Sequence, residues 1–200
     1  MMSLKMRITI AGITAFFAVI AAVLLIEFNP TRSDATSSIQ FGAPFKLATA
    51  REGGTLDSKD LIGKPYGLFF GYTHCPEVCP TTITDMSAAL ADLGDKAKDF
   101  RLFFITIDPE RDTAVAMNDY LSNFDKRIEA LIPTPDELPK LAKDFHVFYE
   151  KIPSEDGNYT MNHTALVFLF NAKGGFASTI AYDENKTNRL AKLEKLLASK

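Results

Sequence analysis

Unbroken apolar runs alternate along this chain with stretches whose apolar residues stand three and four apart, and the alternation predicts its elements. Tyr66 to Tyr72 and Arg101 to Ile107 are nearly continuous apolar runs, as expected of strands buried on both faces of a sheet. Between them Cys79, Ile83, Met86, Leu90 and Leu93 recur at spacings of 4, 3, 4 and 3, which lines one helix face, and Gly94 stands where that helix should end. The three together predict a β-α-β unit. The same spacing predicts a helix from Thr113 to Phe124 on Met117, Leu121 and Phe124, and another from Pro135 to Phe145 on Leu138, Leu141 and Phe145. Thr164 to Phe170 and Phe176 to Ala181 read as strands joined by Asn171-Ala172-Lys173-Gly174-Gly175, a hairpin signal. Leu190, Leu193 and Leu197 mark a closing helix.

A different pattern opens the chain. Ile8 to Ile26 are 19 residues without a charge, and a helix of that length spans roughly 28 Å, close to a bilayer core. Lys5 and Arg7 precede the run and Glu27 follows it, so the positive-inside bias sets residues 1–7 in the cytoplasm and the rest outside. A cleaved signal peptide is the competing reading; it is weakened by the length of the run and by the lack of an Ala-x-Ala-like site directly after it. Seven residues leave no room for a mitochondrial transit peptide, so a bacterial inner membrane with the domain in the periplasm is expected. Residues 27–40 are polar and turn-rich, a flexible tether. Residues 41–200 suit one globular domain with a self-sufficient core.

Charge excludes one class of partner. Beyond Glu27, 20 basic residues face 24 acidic ones, a formal charge of −4, and nothing suggests nucleic acid. The candidate chemistry lies elsewhere. Cys75 and Cys79 are the only cysteines, in Gly71-Tyr72-Thr73-His74-Cys75-Pro76-Glu77-Val78-Cys79-Pro80, at the junction of the first apolar strand and its helix. If the helix begins near Pro76, the two sulfurs lie one turn apart on one face, able to close on a soft metal ion or to form a disulfide. The order of elements is that of an α/β thioredoxin-like fold, in which helix N-terminal N–H groups favour a thiolate at this junction. Three residues separate the cysteines here rather than two, which favours metal over simple exchange.

His163 stands in Tyr159-Thr160-Met161-Asn162-His163-Thr164, immediately before the hairpin's first strand, at a loop edge able to face the cysteines. Two thiolates and an imidazole suit copper by softness. Zinc is the chemical rival, since Cys2His with an open position is a catalytic zinc set.

Three blocks, taken in order, carry a resemblance: Gly71-Tyr72-Thr73-x-Cys75-Pro76-x-x-Cys79-Pro80, then Thr106-Ile107-Asp108-Pro109-Glu110-Arg111-Asp112-Thr113, then Asn162-His163-Thr164. Together they resemble the signature of the Sco/SenC family of membrane-anchored copper proteins, over Phe41 to the C-terminus. The resemblance implies copper ligands at Cys75, Cys79 and His163. It also implies a copper chaperone or thiol reductant for the dinuclear copper centre of cytochrome c oxidase subunit II, supplied by another periplasmic copper donor or thiol reductant. Asn162 departs from the family, whose members commonly carry an acidic residue there.

The remaining candidates have plainer readings. Asp112 or Thr113 is expected to cap a helix, against a docking role for the Asp108–Thr113 block that the resemblance favours. His74 is a solvated loop residue or an outer donor to Cys75; His146 reads as structural, and Met161 as packing. For the cysteine pair, a purely structural staple would contribute only about 2 kcal/mol across so short a loop, whereas a reversible disulfide between redox-active Cys75 and Cys79 would couple to copper loading. Three classes stay open: copper delivery, thiol–disulfide exchange without obligatory metal, and a peroxidase-like thiol enzyme, the last disfavoured because Thr-x-x-Cys is absent.

Overall fold

The computed structural model describes residues 41–199, apart from residues 52 and 156. The span expected at Ile8 to Ile26, residues 1–7 and the tether lie outside the described residues. Among those described, no helix is long and apolar enough to cross a membrane.

The chain runs β1 (Lys46–Thr49), β2 (Thr55–Asp57), a 3₁₀ turn (Ser58–Leu61), β3 (Tyr66–Gly71), α1 (Val78–Leu93), β4 (Arg101–Thr106), α2 (Ala114–Leu121), β5 (Ile128–Ile132), α3 (Leu138–Asp144), β6 (Tyr149–Pro153), β7 (Tyr159–His163), β8 (Leu166–Phe170), β9 (Phe176–Ala181) and α4 (Lys186–Ala198). Seven strands form one sheet in the order β2-β1-β5-β4-β3-β8-β9, and β6 pairs with β7 in a separate ribbon. β3, β4 and β5 are parallel neighbours, while β8 joins β3 antiparallel, Tyr66 opposite Phe170. The fold is the expected α/β, thioredoxin-like one.

Every residue of β3 and five of six in β4 are buried, which is why these strands read as unbroken apolar runs. α1 sets Cys79, Ile83, Met86, Leu90 and Leu93 on its buried face. It ends at Gly94, whose φ of 51° lies in the left-handed region that glycine adopts without a Cβ clash. Two helices are shorter than their periodicity suggests. α2 stops at Leu121, where the Ser122 hydroxyl donates to the Asp119 carbonyl at 2.7 Å, yet Phe124 still packs on Tyr120, ring centres 5.6 Å apart. α3 starts only at Leu138 because Glu137 takes the Thr134 N–H and hydroxyl, at 2.8 and 2.9 Å, and makes a tight turn of the preceding residues.

His146 does structural work, but on the surface. It follows α3 with φ 52°, donating its N–H to Lys143 while Val147 N–H reaches Ala142, at 3.2 and 2.8 Å. This double bond closes the helix in a Schellman arrangement.

Candidate metal centre

β3 ends on Gly71 and delivers Tyr72 to Glu77 as a tight loop into α1. The helix begins at Val78, so Cys75 precedes it instead of sitting in its first turn. The Cys75 N–H donates to the Tyr72 carbonyl at 3.3 Å, and its sulfur folds back over the helix end to accept the Cys79 N–H, also at 3.3 Å. Cys79 is fully buried and Cys75 is 9% exposed; both are free thiols. The unpaired N–H groups and positive end of α1 favour a thiolate here. Hydrogen bonds from the Cys79 thiol and from the backbone N–H groups of Cys79 and Glu77 outweigh burial and hold Cys75 far below the ordinary thiol range. Cys79 moves the other way, because it donates to Cys75 and is desolvated. Cys75 is therefore the thiolate of the pair.

His163 reaches the cysteines from β7, where it is the last strand residue rather than a loop residue. Its Nε2 lies 3.5 Å from the Cys79 sulfur, and its Nδ1 lies 3.0 Å from the Thr164 carbonyl. A carbonyl can only accept, so Nδ1 carries the proton and Nε2 keeps the lone pair that a ligand needs. The three candidate ligand atoms lie within 4.8 Å of one another, close to the span of one ion and its two bonds, about 4.5 Å. The rings of Tyr72 and Phe69 stand edge-on to the imidazole, centres 5.9 and 6.4 Å away.

Long-range polar contacts fix the ribbon that carries His163. The Tyr72 hydroxyl is 2.8 Å from Thr160 Oγ1 and accepts the Met161 N–H at 3.2 Å. Tyr159 donates its hydroxyl to buried Asp108 at 2.7 Å. The Arg111 guanidinium lies over the Tyr159 ring at 3.6 Å and bonds both Asp108 and the Tyr159 carbonyl. Asp112 does not cap α2; Thr113 does, accepting the Ala116 N–H. The Asp112 carboxylate is wholly buried and accepts from the Thr73 N–H, the Thr73 hydroxyl and the Thr106 hydroxyl. The Asp108–Thr113 block thus anchors both halves of the site, a role that sequence reading missed.

His74 is exposed beside this network, its Nδ1 3.8 Å from Asp112, and Met161 is buried packing, as expected.

Two expected outcomes follow from this geometry. At pH 6, iodoacetamide should modify Cys75 in the reduced protein and spare Cys79, as read by peptide mass. Its rate should fall little from pH 8, where an ordinary thiol would slow roughly 100-fold; equal labelling of both cysteines would contradict the assignment. Gly71 has no room for a side chain, since a Cβ would stand 2.8 Å from Phe104 Cε2 and 2.9 Å from the Cys79 sulfur. Gly71→Ala should displace that sulfur, costing about 1–3 kcal/mol of stability and weakening metal binding about tenfold in a competition titration.

A family model described as SCO1/SenC matches residues 33–198. The human protein SCO1 homolog, mitochondrial, is 32% identical over 148 residues, 72% of this chain and 49% of its own length. Protein SenC of Rhodobacter capsulatus is 28% identical over 183 residues, 88% of this chain and 81% of its own. The chain spans about half the length of the human relative. Among solved structures, Bradyrhizobium japonicum ScoI with copper bound superposes with a TM-score of 0.72 at 40% identity, over 78% of this chain and 99% of that one.

Proposed function

The chain belongs to the SCO1/SenC family, and on that premise we propose that it is a copper metallochaperone, holding copper through Cys75, Cys79 and His163 and delivering it to the dinuclear copper centre of cytochrome c oxidase subunit II. The observation that carries this reading is the meeting of two sulfurs and the His163 imidazole within 4.8 Å, with Nε2 turned toward Cys79. Copper, the cargo, is soft enough to prefer this donor set to oxygen ligands. Cys75 offers a ready thiolate, Cys79 loses its proton as the metal binds, and Thr164 keeps the imidazole oriented. Titration of the reduced protein with copper should saturate at about one ion per chain, with an intense thiolate charge-transfer band for copper(II). Saturation without that band would contradict sulfur ligation.

The proposal includes the arrangement of the chain. Residues 1–7 are cytoplasmic, residues 8–26 anchor the protein in a bacterial inner membrane, residues 27–40 tether it, and residues 41–200 form the copper domain in the periplasm. Mass measurement of the membrane-extracted protein should return the whole chain; a mature form starting near Ser33 or Ala35 would show a cleaved signal peptide instead.

A second reading has its own support, because a lowered Cys75 beside a protonated, buried Cys79 is an arrangement for thiol–disulfide exchange without obligatory metal. The Cys75 thiolate would attack a target disulfide, and Cys79 would then resolve the mixed disulfide. The target leaves as a dithiol and a Cys75–Cys79 disulfide forms. Such exchange does not require His163.

A further inference from the structure

The connections at the two ends of the parallel strands carry opposite charge. At the cysteine end, residues 72–77, 107–113, 133–137 and 182–185 hold eight acidic residues and one basic residue. At the other end, residues 62–65, 94–100, 122–127 and 171–175 hold six basic and three acidic residues, although the domain as a whole is acidic. β3 separates the ends by about 20 Å. The basic end also exposes large apolar side chains, Ile62 at 59% and Phe176 at 41%. They belong to one surface: the Gly63 N–H donates to Ala172 at 2.7 Å, and Ile62 Cδ1 lies 3.1 Å from where a Gly174 Cβ would stand. Lys64 and Lys173, both exposed, flank them. The chain enters the domain on Phe41, whose ring centre lies 4.3 Å from that of Phe176.

We propose that this surface, Ile62 and Phe176 flanked by Lys64 and Lys173, docks on an anionic phospholipid bilayer. The inference rests on the anchored reading given above, in which only residues 27–40 separate the span from Phe41. A flexible tether of that length has a root-mean-square reach of about 20 Å, so the domain stays next to a lipid surface. Apolar groups flanked by lysines suit the headgroup boundary, where basic side chains are drawn to anionic lipid. The acidic end is repelled by the same surface. Docking therefore leaves Cys75, Cys79 and His163 facing away from the bilayer.

The chain contains no tryptophan, so one substitution supplies a sole reporter. The full chain carrying Phe176→Trp, and separately Ile62→Trp, is placed in nanodiscs of phosphatidylcholine with or without phosphatidylglycerol, using lipids brominated near the headgroup. Both reporters should lose about half their emission in the anionic discs. Lys64→Glu with Lys173→Glu should return them to the level in neutral discs. Val115→Trp, on a 70% exposed position just after the 107–113 connection, should stay unquenched. Absence of quenching in a chain that co-elutes with the discs overturns the docking surface, as does equal quenching at Val115→Trp or in neutral discs. A chain that elutes without lipid overturns the anchor itself.

Discussion

A chain carrying Cys75→Ser and Cys79→Ser is expected to bind no copper under conditions that saturate the parent protein, and to leave the oxidase copper centre unassembled. Serine keeps the shape but replaces two soft donors with hydroxyls that stay protonated at neutral pH, leaving one imidazole. The variant should still fold, because Cys75 and Cys79 are two small side chains among many buried ones and serine nearly matches their volume. Metal analysis after gel filtration, beside a circular dichroism spectrum, reads both points. Full copper stoichiometry in the double variant would mean that the site is misassigned.

Asp112→Ala is expected to produce the second large effect, on stability and copper affinity together. Removing this buried carboxylate strands the Thr73 N–H and the hydroxyls of Thr73 and Thr106, with a cost of about 1–3 kcal/mol for each buried group left unpaired. Relaxation and entering water reduce the sum, so a net loss near 3 kcal/mol and a melting point lower by about 6–12 °C are expected. Thr73 lies two residues before Cys75, so copper affinity should fall about 10- to 100-fold as the loop loosens. Asp112→Asn, which keeps an acceptor, should lose less of both. A stable Asp112→Ala protein with unchanged affinity would remove Asp112 from the account.

The contrast between Asp112 and the cysteines shows where sequence reading reaches its limit. β3, β4 and α1 were legible because burial on two faces or on one helical face leaves a local period, and the cysteine pair stands at their junction. The ribbon β6–β7 leaves no such period, since four of five residues in β6 are exposed and only Met161 is buried in β7. What holds it is polar and distant in sequence: Tyr72 to Thr160 across 88 residues, Asp108 to Tyr159 across 51. For that reason His163 could be named as a ligand while its strand could not. The block from Asp108 to Thr113 likewise reads as a helix start because Thr113 is one; the bond from Asp112 to Thr73 joins residues 39 positions apart and has no local signature. β1, β2 and β5 escaped for a simpler reason, being three to five residues long with too few positions to establish alternation.

Metal delivery and pure thiol exchange part company at His163. His163→Ala keeps both thiols but removes one of three ligands, so a copper carrier loses much of its affinity, above all for copper(II), while an exchange enzyme keeps its working groups. The measurement is oxidase activity and copper content in membranes from cells whose only copy of the protein is the His163→Ala variant. Copper delivery predicts a loss nearly as severe as that caused by removing Cys75, partly restored by added copper. Normal activity in that variant, alongside a dead double-serine variant, would contradict copper delivery and leave thiol exchange as the function.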